Sequence, residues 1–300
     1  MKLTIGVCAY NEEKNIKKLL GDVLNQKGLP RDTRILVVAS GCTDDTAGIV
    51  REIMRRDSRV ELIEEKTRTG KTNAINLVLA RCNRGILVLV DADVRLPQKS
   101  VSGILREMSD ESIAVVGGLP IVENYESGTV AKSAAIIWRV MRQAMIELGS
   151  RGELSFVMGE LCCFRTDLVE RIPPTVVNDD AYLATFARSK GFKVTHATKA
   201  NFVLKVPTSI SDYIAQRRRV TFGHLQIKKQ MGRFANIEGL AIDHTMILAL
   251  AMIREAASHP QSIIRALFLM ELETAIRLLA WLDVRTGKQH AIWNRITTTK

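Results

Sequence analysis

The sequence predicts an α/β domain, a mostly parallel sheet flanked by helices, followed by a helical C-terminal appendage. Three observations carry that expectation. Through the first half, short apolar runs alternate with segments of helical spacing, the pattern of right-handed βαβ units. The run Gly85–Val90 is apolar almost throughout, as suits a central strand covered on both faces. After Pro207 the alternation stops, and a basic stretch gives way to two apolar helical stretches split at His259-Pro260.

Leu3–Ala9 is the first strand; it ends at Tyr10-Asn11-Glu12, and Ile16, Leu19, Leu20 and Val23 follow at helical spacing. Arg34–Ala39 is the second strand. Behind it, Ser40-Gly41-Cys42-Thr43-Asp44-Asp45 supplies a turn and helix-capping residues ahead of Ile49, Val50 and Ile53. Val60–Ile63 is the third strand, and Thr69-Gly70-Lys71-Thr72 opens a helix carrying Ala74, Ile75, Leu77 and Val78. Beyond the fourth strand, Ile113–Gly118, Phe156–Phe164 and Phe192–His196 read as strands, and Val130–Leu148 and Ala181–Ser189 as helices. The break near Pro207 separates residues 1–206 from a basic, amphipathic segment, 207–300. Ligands of parallel sheets bind at the carboxyl ends of the strands. Those ends carry Asn11-Glu12, Ser40 and Asp91-Ala92-Asp93.

The composition, 46% hydrophobic and 25% charged over 300 residues, is that of a globular chain and excludes a disordered one. Forty-three basic against 32 acidic residues give a net charge of +11, which favours anionic partners: nucleic acid, acidic lipid headgroups or phosphorylated small molecules. The five cysteines form no CxxC pair, and their odd number points to reduced thiols in a cytoplasmic protein. The amino-terminal stretch lacks the apolar core of a signal peptide, and no uncharged stretch approaches the roughly 20 residues that span a bilayer. The expected location is the cytoplasm or the cytoplasmic face of the membrane.

Asp91-Ala92-Asp93, at the end of the buried strand, is the sharpest chemical feature. Two carboxylates crowded at a low-dielectric sheet edge repel each other, and Mg²⁺ or Mn²⁺ relieves that repulsion while filling its shell with substrate phosphates. An exposed acidic turn is the plain alternative. Asp179-Asp180, ahead of a helix, suits the N-terminal end of the helix dipole. Beside a metal site, one of the two becomes a candidate general base. Thr69-Gly70-Lys71-Thr72 lacks the first glycine of a phosphate loop, though Lys71 can still reach a phosphate or a base. The five histidines lack metal-ligand spacing and read as structural or surface residues, and neither Ser40, Ser155 nor the cysteines stand on a nucleophile elbow.

In this order the motifs resemble those of the family-2 glycosyltransferases over about residues 1–225. The matches are AYNEE at 9–13, VVASGCTDDT at 37–46, TGKTNAIN at 69–76, LVDAD at 89–93, FVMGELCCFR at 156–165, NDDAYL at 178–183, GFKV at 191–194 and QRRRV at 216–220. The resemblance implies the GT-A fold, a Rossmann-like α/β architecture, and inverting transfer of a sugar from a nucleoside-diphosphate donor, with uridine as the base. It implies that Ala9, Asn11, Glu12, Ser40, Lys71 and Asp91 serve the nucleotide, Asp93 the metal, and Asp180, with Asp179 beside it, the general base. Gly159, Gln216, Arg217 and Arg219 match stretches near donor and acceptor. Two positions depart from the family's pattern. Ala39-Ser40 stands where an acidic pair is usual, which loosens the expectation of uridine. Val220 stands where processive members carry Trp, which argues against synthesis of long polymers.

Two other readings compete. A sugar-nucleotide nucleotidyltransferase shares the acidic α/β sheet, but opens with a glycine-rich loop where this chain has Tyr10-Asn11-Glu12. A nucleic-acid binder would suit the charge of +11, but aromatics are only 5% and scattered, so no nucleic-acid partner is expected. The expected partners are a nucleotide sugar and a saccharide or lipid-linked acceptor. The basic stretch Arg217–Arg233 and the apolar stretches Thr245–Ile253 and Ile263–Leu282 further imply contact with a membrane surface or pairing as a homodimer.

Overall fold

The computed structural model describes residues 2–82, 84–151, 156–232, 244–260 and 262–288, with 290, 292, 298 and 299. Ser155 and Arg233 lie outside the described residues. The strands are β1 (Leu3–Ala9), β2 (Arg34–Ser40), β3 (Val60–Glu65), β4 (Ile86–Asp91), β5 (Ile113–Val122), β6 (Leu161–Arg165) and β7 (Lys193–Leu204). They form one seven-stranded sheet in the order β3-β2-β1-β4-β6-β5-β7. β1 pairs in parallel with β2 and β4, β2 with β3, and β5 with β7; β6 runs antiparallel between β4 and β5.

The helices of the sheet region are α1 (Ile16–Leu24), α2 (Thr46–Arg56), α3 (Lys71–Leu79), α4 (Ser100–Glu107), α5 (Gly128–Arg151) and α6 (Asp179–Ser189). The apolar runs become strands because both faces are covered. Leu3, Ile5 and Val7 bury against Ile16, Leu19, Leu20 and Val23 of α1 on one side. Leu36, Val38, Leu87 and Leu89 meet Ala74, Ile75 and Val78 of α3 on the other. Fully burying each such side chain contributes about 1.5–3 kcal/mol, which fixes the layering.

Three strands differ clearly from the expected limits, and the first, β5, runs past Gly118 to Val122. The run Phe156–Phe164 is strand only from Leu161 to Arg165; Phe156 and Val157 are buried outside the sheet. β7 continues to Leu204, well past His196, because a register shift between Gly117 and Leu119 of β5 lets the pairing resume at Asn201. The helix expected from Ala181 begins at Asp179, so both aspartates sit in its first turn.

Beyond Pro207 the chain forms α7 (Ile210–Met231), α8 (Thr245–Ser258) and α9 (Ser262–Thr286). The hydroxyl of Ser209 caps α7 by accepting from the Asp212 amide at 3.2 Å, and Gly232 closes it in the left-handed conformation at φ 73°. Bidentate pairs fix α9 to α7: Arg217 donates to Glu273 at 2.8 and 3.0 Å, and Arg218 to Asp283 at 2.6 and 2.6 Å. Arg139 of α5 holds Glu255 of α8 in the same way, at 2.6–3.1 Å. Arg217 and Arg218, part of the basic stretch Arg217–Arg233 expected to meet a membrane surface, are thus half-buried in ion pairs with α9. Among the described residues no helix is long and apolar enough to cross a membrane.

Candidate active site

Parallel pairing brings three strand ends to one edge: Cys8 of β1 stands beside Asp91 of β4, Ala9 beside Ala39 of β2, and Ser40 beside Glu65 of β3. The antiparallel β6 starts where its neighbour β4 ends, so Glu160 meets the same edge, its carbonyl accepting from the Asp91 amide at 3.1 Å. Two chambers open there, of about 190 and 200 Å³. They share Lys71, Asp91, Trp138, Glu160, Gln216 and Arg219 as a common wall.

The first chamber is the mouth of β1, β2 and β4. Ala9, Tyr10, Glu12, Ser40 and Asp93 line it. The Arg68 guanidinium lies 3.8 Å from the centre of the Tyr10 ring, a flat platform of the kind that receives a planar base. The buried Ser40 hydroxyl, on the chamber lining, has no hydrogen-bond partner among the described residues. Asn11 lines neither chamber. It takes φ +54° and braces the rim, accepting from the Thr43 amide at 2.8 Å and donating to the Thr43 hydroxyl at 3.1 Å. An asparagine tolerates that backbone because its short side chain bonds locally.

The second chamber lies between α5, α6 and α7. Asp179, Asp180, Gly159, Arg217 and His224 line it together with apolar side chains of α5. At Gly159 a Cβ would stand 3.4 Å from the Asp180 carboxyl, so glycine keeps the approach to that carboxyl open. Gly223 is needed for a different reason: a Cβ there would collide with the Asn178 amide, which donates to the Val220 carbonyl at 2.9 Å. That close approach seats α7 against α6 and aims Arg219 at the acidic edge.

The charged groups on and beside the common wall are crowded and shift one another. Lys71 sits 2.7 Å from Asp91 and 3.5 Å from Asp179. Burial disfavours its ammonium, but the charges of Asp179 and Asp91 outweigh burial and hold its pKa well above the ordinary lysine value. Burial, opposed by Lys71 and reinforced by Asp93, raises Asp91. Burial and then the charge of Asp91 push Glu160 up to about 8, so it carries a proton at neutral pH. Burial and then the charge of Asp179 push Asp180 up to about 6, which suits a general base near neutrality. Burial lowers Arg219, with Asp91, Asp179, Asp180 and Glu160 opposing it. Burial and then Arg217 and Arg219 drive His224 down to about 3, leaving a neutral ring.

Oxygen-rich, acidic surroundings are the donor chemistry of Mg²⁺ and Mn²⁺. Among the described residues no three His, Cys, Asp or Glu side chains converge on one point. Asp93 lines the first chamber, and a cation held there would have to take most of its shell from phosphate oxygens and water. Sequence reasoning passed over Trp138, Glu160, Arg68 and His224. Glu160 followed glycine inside what read as a strand, and the others carried no spacing signal.

Fold and edge define the GT-A class of α/β proteins, and comparison with known proteins agrees. The chain belongs to glycosyl transferase family 2, whose model matches residues 4–172. Its fold is similar to that of the mannosyltransferase PcManGT of Pyrobaculum calidifontis, solved with GDP-Man and Mn²⁺ (TM-score 0.68, 21% identity, 96% of this chain and 88% of that one). It is also similar to residues 1–349 of TarS from S. aureus, solved with UDP-GlcNAc (TM-score 0.55, 16% identity, 100% and 97%). An uncharacterized glycosyltransferase of Haemophilus influenzae is 27% identical over 141 residues, 46% of this chain and 43% of that protein. The chain thus spans less than half the length of that curated relative.

Proposed function

We propose that this chain is an inverting, divalent-cation-dependent glycosyltransferase. It moves one sugar from a nucleoside-diphosphate sugar to a hydroxyl of a saccharide or lipid-linked acceptor. The reading rests on one observation: two chambers meet at a single acidic wall, with Asp93 opening on the first and Asp180 on the second. Residues 1–206 carry the donor side, and α7 completes the wall with Gln216 and Arg219.

On this reading the nucleotide lies in the first chamber, its base by Tyr10 and Arg68, its diphosphate near Lys71, Asp93 and Arg219. Uridine is the base implied by the sequence resemblance; the solved neighbours hold GDP-Man in one case and UDP-GlcNAc in the other, so both enter the test. Asp93 would hold Mg²⁺ or Mn²⁺, which when bound neutralises charge on the departing diphosphate. The acceptor enters the second chamber. Its hydroxyl gives its proton to the Asp180 carboxylate while its oxygen attacks the anomeric carbon from the face opposite the diphosphate. One carbon–oxygen bond forms as the other breaks, and the anomeric configuration inverts. Lys71 and Arg219 meet the negative charge that develops on the leaving group, and Glu160, protonated at neutral pH, adds no charge against it.

The test is incubation with a panel of UDP- and GDP-sugars and Mn²⁺, following release of the nucleoside diphosphate, beside a parallel incubation with nucleoside triphosphate and sugar 1-phosphate. Nucleoside diphosphate release from a nucleotide sugar supports the proposal. Pyrophosphate release from the triphosphate mixture alone would replace it with nucleotidyl transfer.

A further inference from the structure

The C-terminal helices α8 and α9 are built with their polarity reversed. Their acids Glu255, Glu273 and Asp283 point inward, each onto an arginine of α5 or α7. Their large apolar side chains point outward: Ile264 is 78% exposed, Met246 72% and Ile253 63%. On α9 the spacing of Ile264, Leu267, Phe268, Leu278, Trp281 and Leu282 puts them along one outer face, all exposed. On α8, Met246, Leu250 and Ile253 do the same. Soluble helices hide such a face and expose their charges; here the inner face is satisfied by ion pairs, and among the described residues nothing covers the apolar face.

The charge around that face identifies its occupant. Arg254, Arg277 and Arg285 are exposed, and the Arg285 guanidinium stacks 3.9 Å from the Trp281 ring. Glu271 is the one exposed acid of the two helices among the described residues. A second copy joined by a two-fold axis would bring these arginines against one another. An anionic lipid surface complements them, and takes the tryptophan at the level of its headgroups. Neither helix is long and apolar enough to cross, so contact lies in the plane of the interface.

We propose that the outward faces of α8 and α9 dock the protein on an anionic lipid surface. α5 and α7, the helices to which α8 and α9 are ion-paired, also line the second chamber. Docking therefore fixes the acceptor side relative to the membrane. This last consequence rests on the transferase reading; the docking itself does not.

The experiment is flotation of the full chain with phosphatidylglycerol or phosphatidylcholine vesicles, at low and high salt. Alongside it run the variants Ile253→Glu/Ile264→Glu/Leu278→Glu and Arg254→Glu/Arg285→Glu. Each variant is checked for an unchanged thermal midpoint and unchanged stabilisation by nucleotide sugar with Mn²⁺. Docking predicts flotation with phosphatidylglycerol at low salt, at least about tenfold less with phosphatidylcholine or at high salt, and loss in both variants. Wild-type protein left at the bottom of the anionic gradient, or a triple variant floating as well as wild type, overturns the proposal. So does a solution dimer that the triple variant dissolves, which would assign the face to a second copy. Flotation without any stabilisation by nucleotide sugars would leave docking standing and count against the transferase reading alone.

Discussion

Two regions of this protein handle buried charge in opposite ways. In the C-terminal helices α8 and α9 each inward-facing acid has its own arginine: Glu255 with Arg139, Glu273 with Arg217, Asp283 with Arg218. At the sheet edge the pairing is not one to one: Lys71 is shared between Asp91 and Asp179, with Asp93, Asp180, Arg219 and a protonated Glu160 crowded beside them. One-to-one pairs complete a structure, whereas a crowded cluster of perturbed charges marks a candidate ligand site. The difference separates the part of the molecule whose charges are matched from the part proposed to take substrate.

The comparison breaks most readily at Asp180. Asp180→Asn is nearly isosteric and keeps an amide-capable side chain at the helix start. Turnover should fall about 10²–10⁴-fold while binding of the nucleotide sugar is retained, measured by steady-state kinetics and titration. An equally large loss of donor binding would show that the residue is structural. On the matched side, Glu273→Ala leaves Arg217 and the Tyr213 hydroxyl without their acceptor, the latter now bonded at 2.6 Å. Chemical denaturation should show a loss of about 1–3 kcal/mol, the cost of leaving buried and half-buried donors without their acceptor. A loss below about 1 kcal/mol would place Glu273 with the surface pairs.

The pH profile gives a smaller and more specific effect. Because Asp180 is raised to about 6, its basic form fills as pH rises through that value. Turnover should drop about tenfold per unit below it, and the Asp180→Asn variant should lose that limb. His224, held near 3, is neutral throughout and cannot supply it. The smallest effect belongs to the exposed pair Arg51–Glu64, with both side chains nearly half exposed (45% and 47%). Arg51→Ala should change stability by less than about 1 kcal/mol.

The first four strands were legible because each is a short apolar run covered on both faces, so that burial and sequence pattern coincide. Asp91, Asp93, Lys71 and Asp180 were legible for a related reason: each follows a strand or opens a helix, where the edge of the sheet had to be. Phe156 and Val157 misled because an apolar pair lining a cavity looks like an apolar pair in a strand. β7 was cut short because its register shift breaks the alternation that marks a strand. Glu160 was hidden because an antiparallel strand offers its beginning to an edge where sequence reasoning searched for strand ends. That Glu273 and Asp283 of α9 face inward was not legible, because it depends on arginines some 60 residues away, Arg217 and Arg218.

The central claim is that the crowded acidic cluster at the sheet edge is completed by a cation and a nucleotide diphosphate. Thermal unfolding of wild type and Asp93→Asn, each with UDP- and GDP-sugars in the presence and absence of Mn²⁺, tests it most directly, since only ligand bound to native protein raises the midpoint. The account predicts that one nucleotide sugar with Mn²⁺ stabilises the wild type, by about 2.7 kcal/mol at one hundred times its dissociation constant, and that Asp93→Asn folds normally but loses the Mn²⁺-dependent part. Equal Mn²⁺-dependent stabilisation of both proteins, or none of the wild type by any nucleotide sugar, would contradict it.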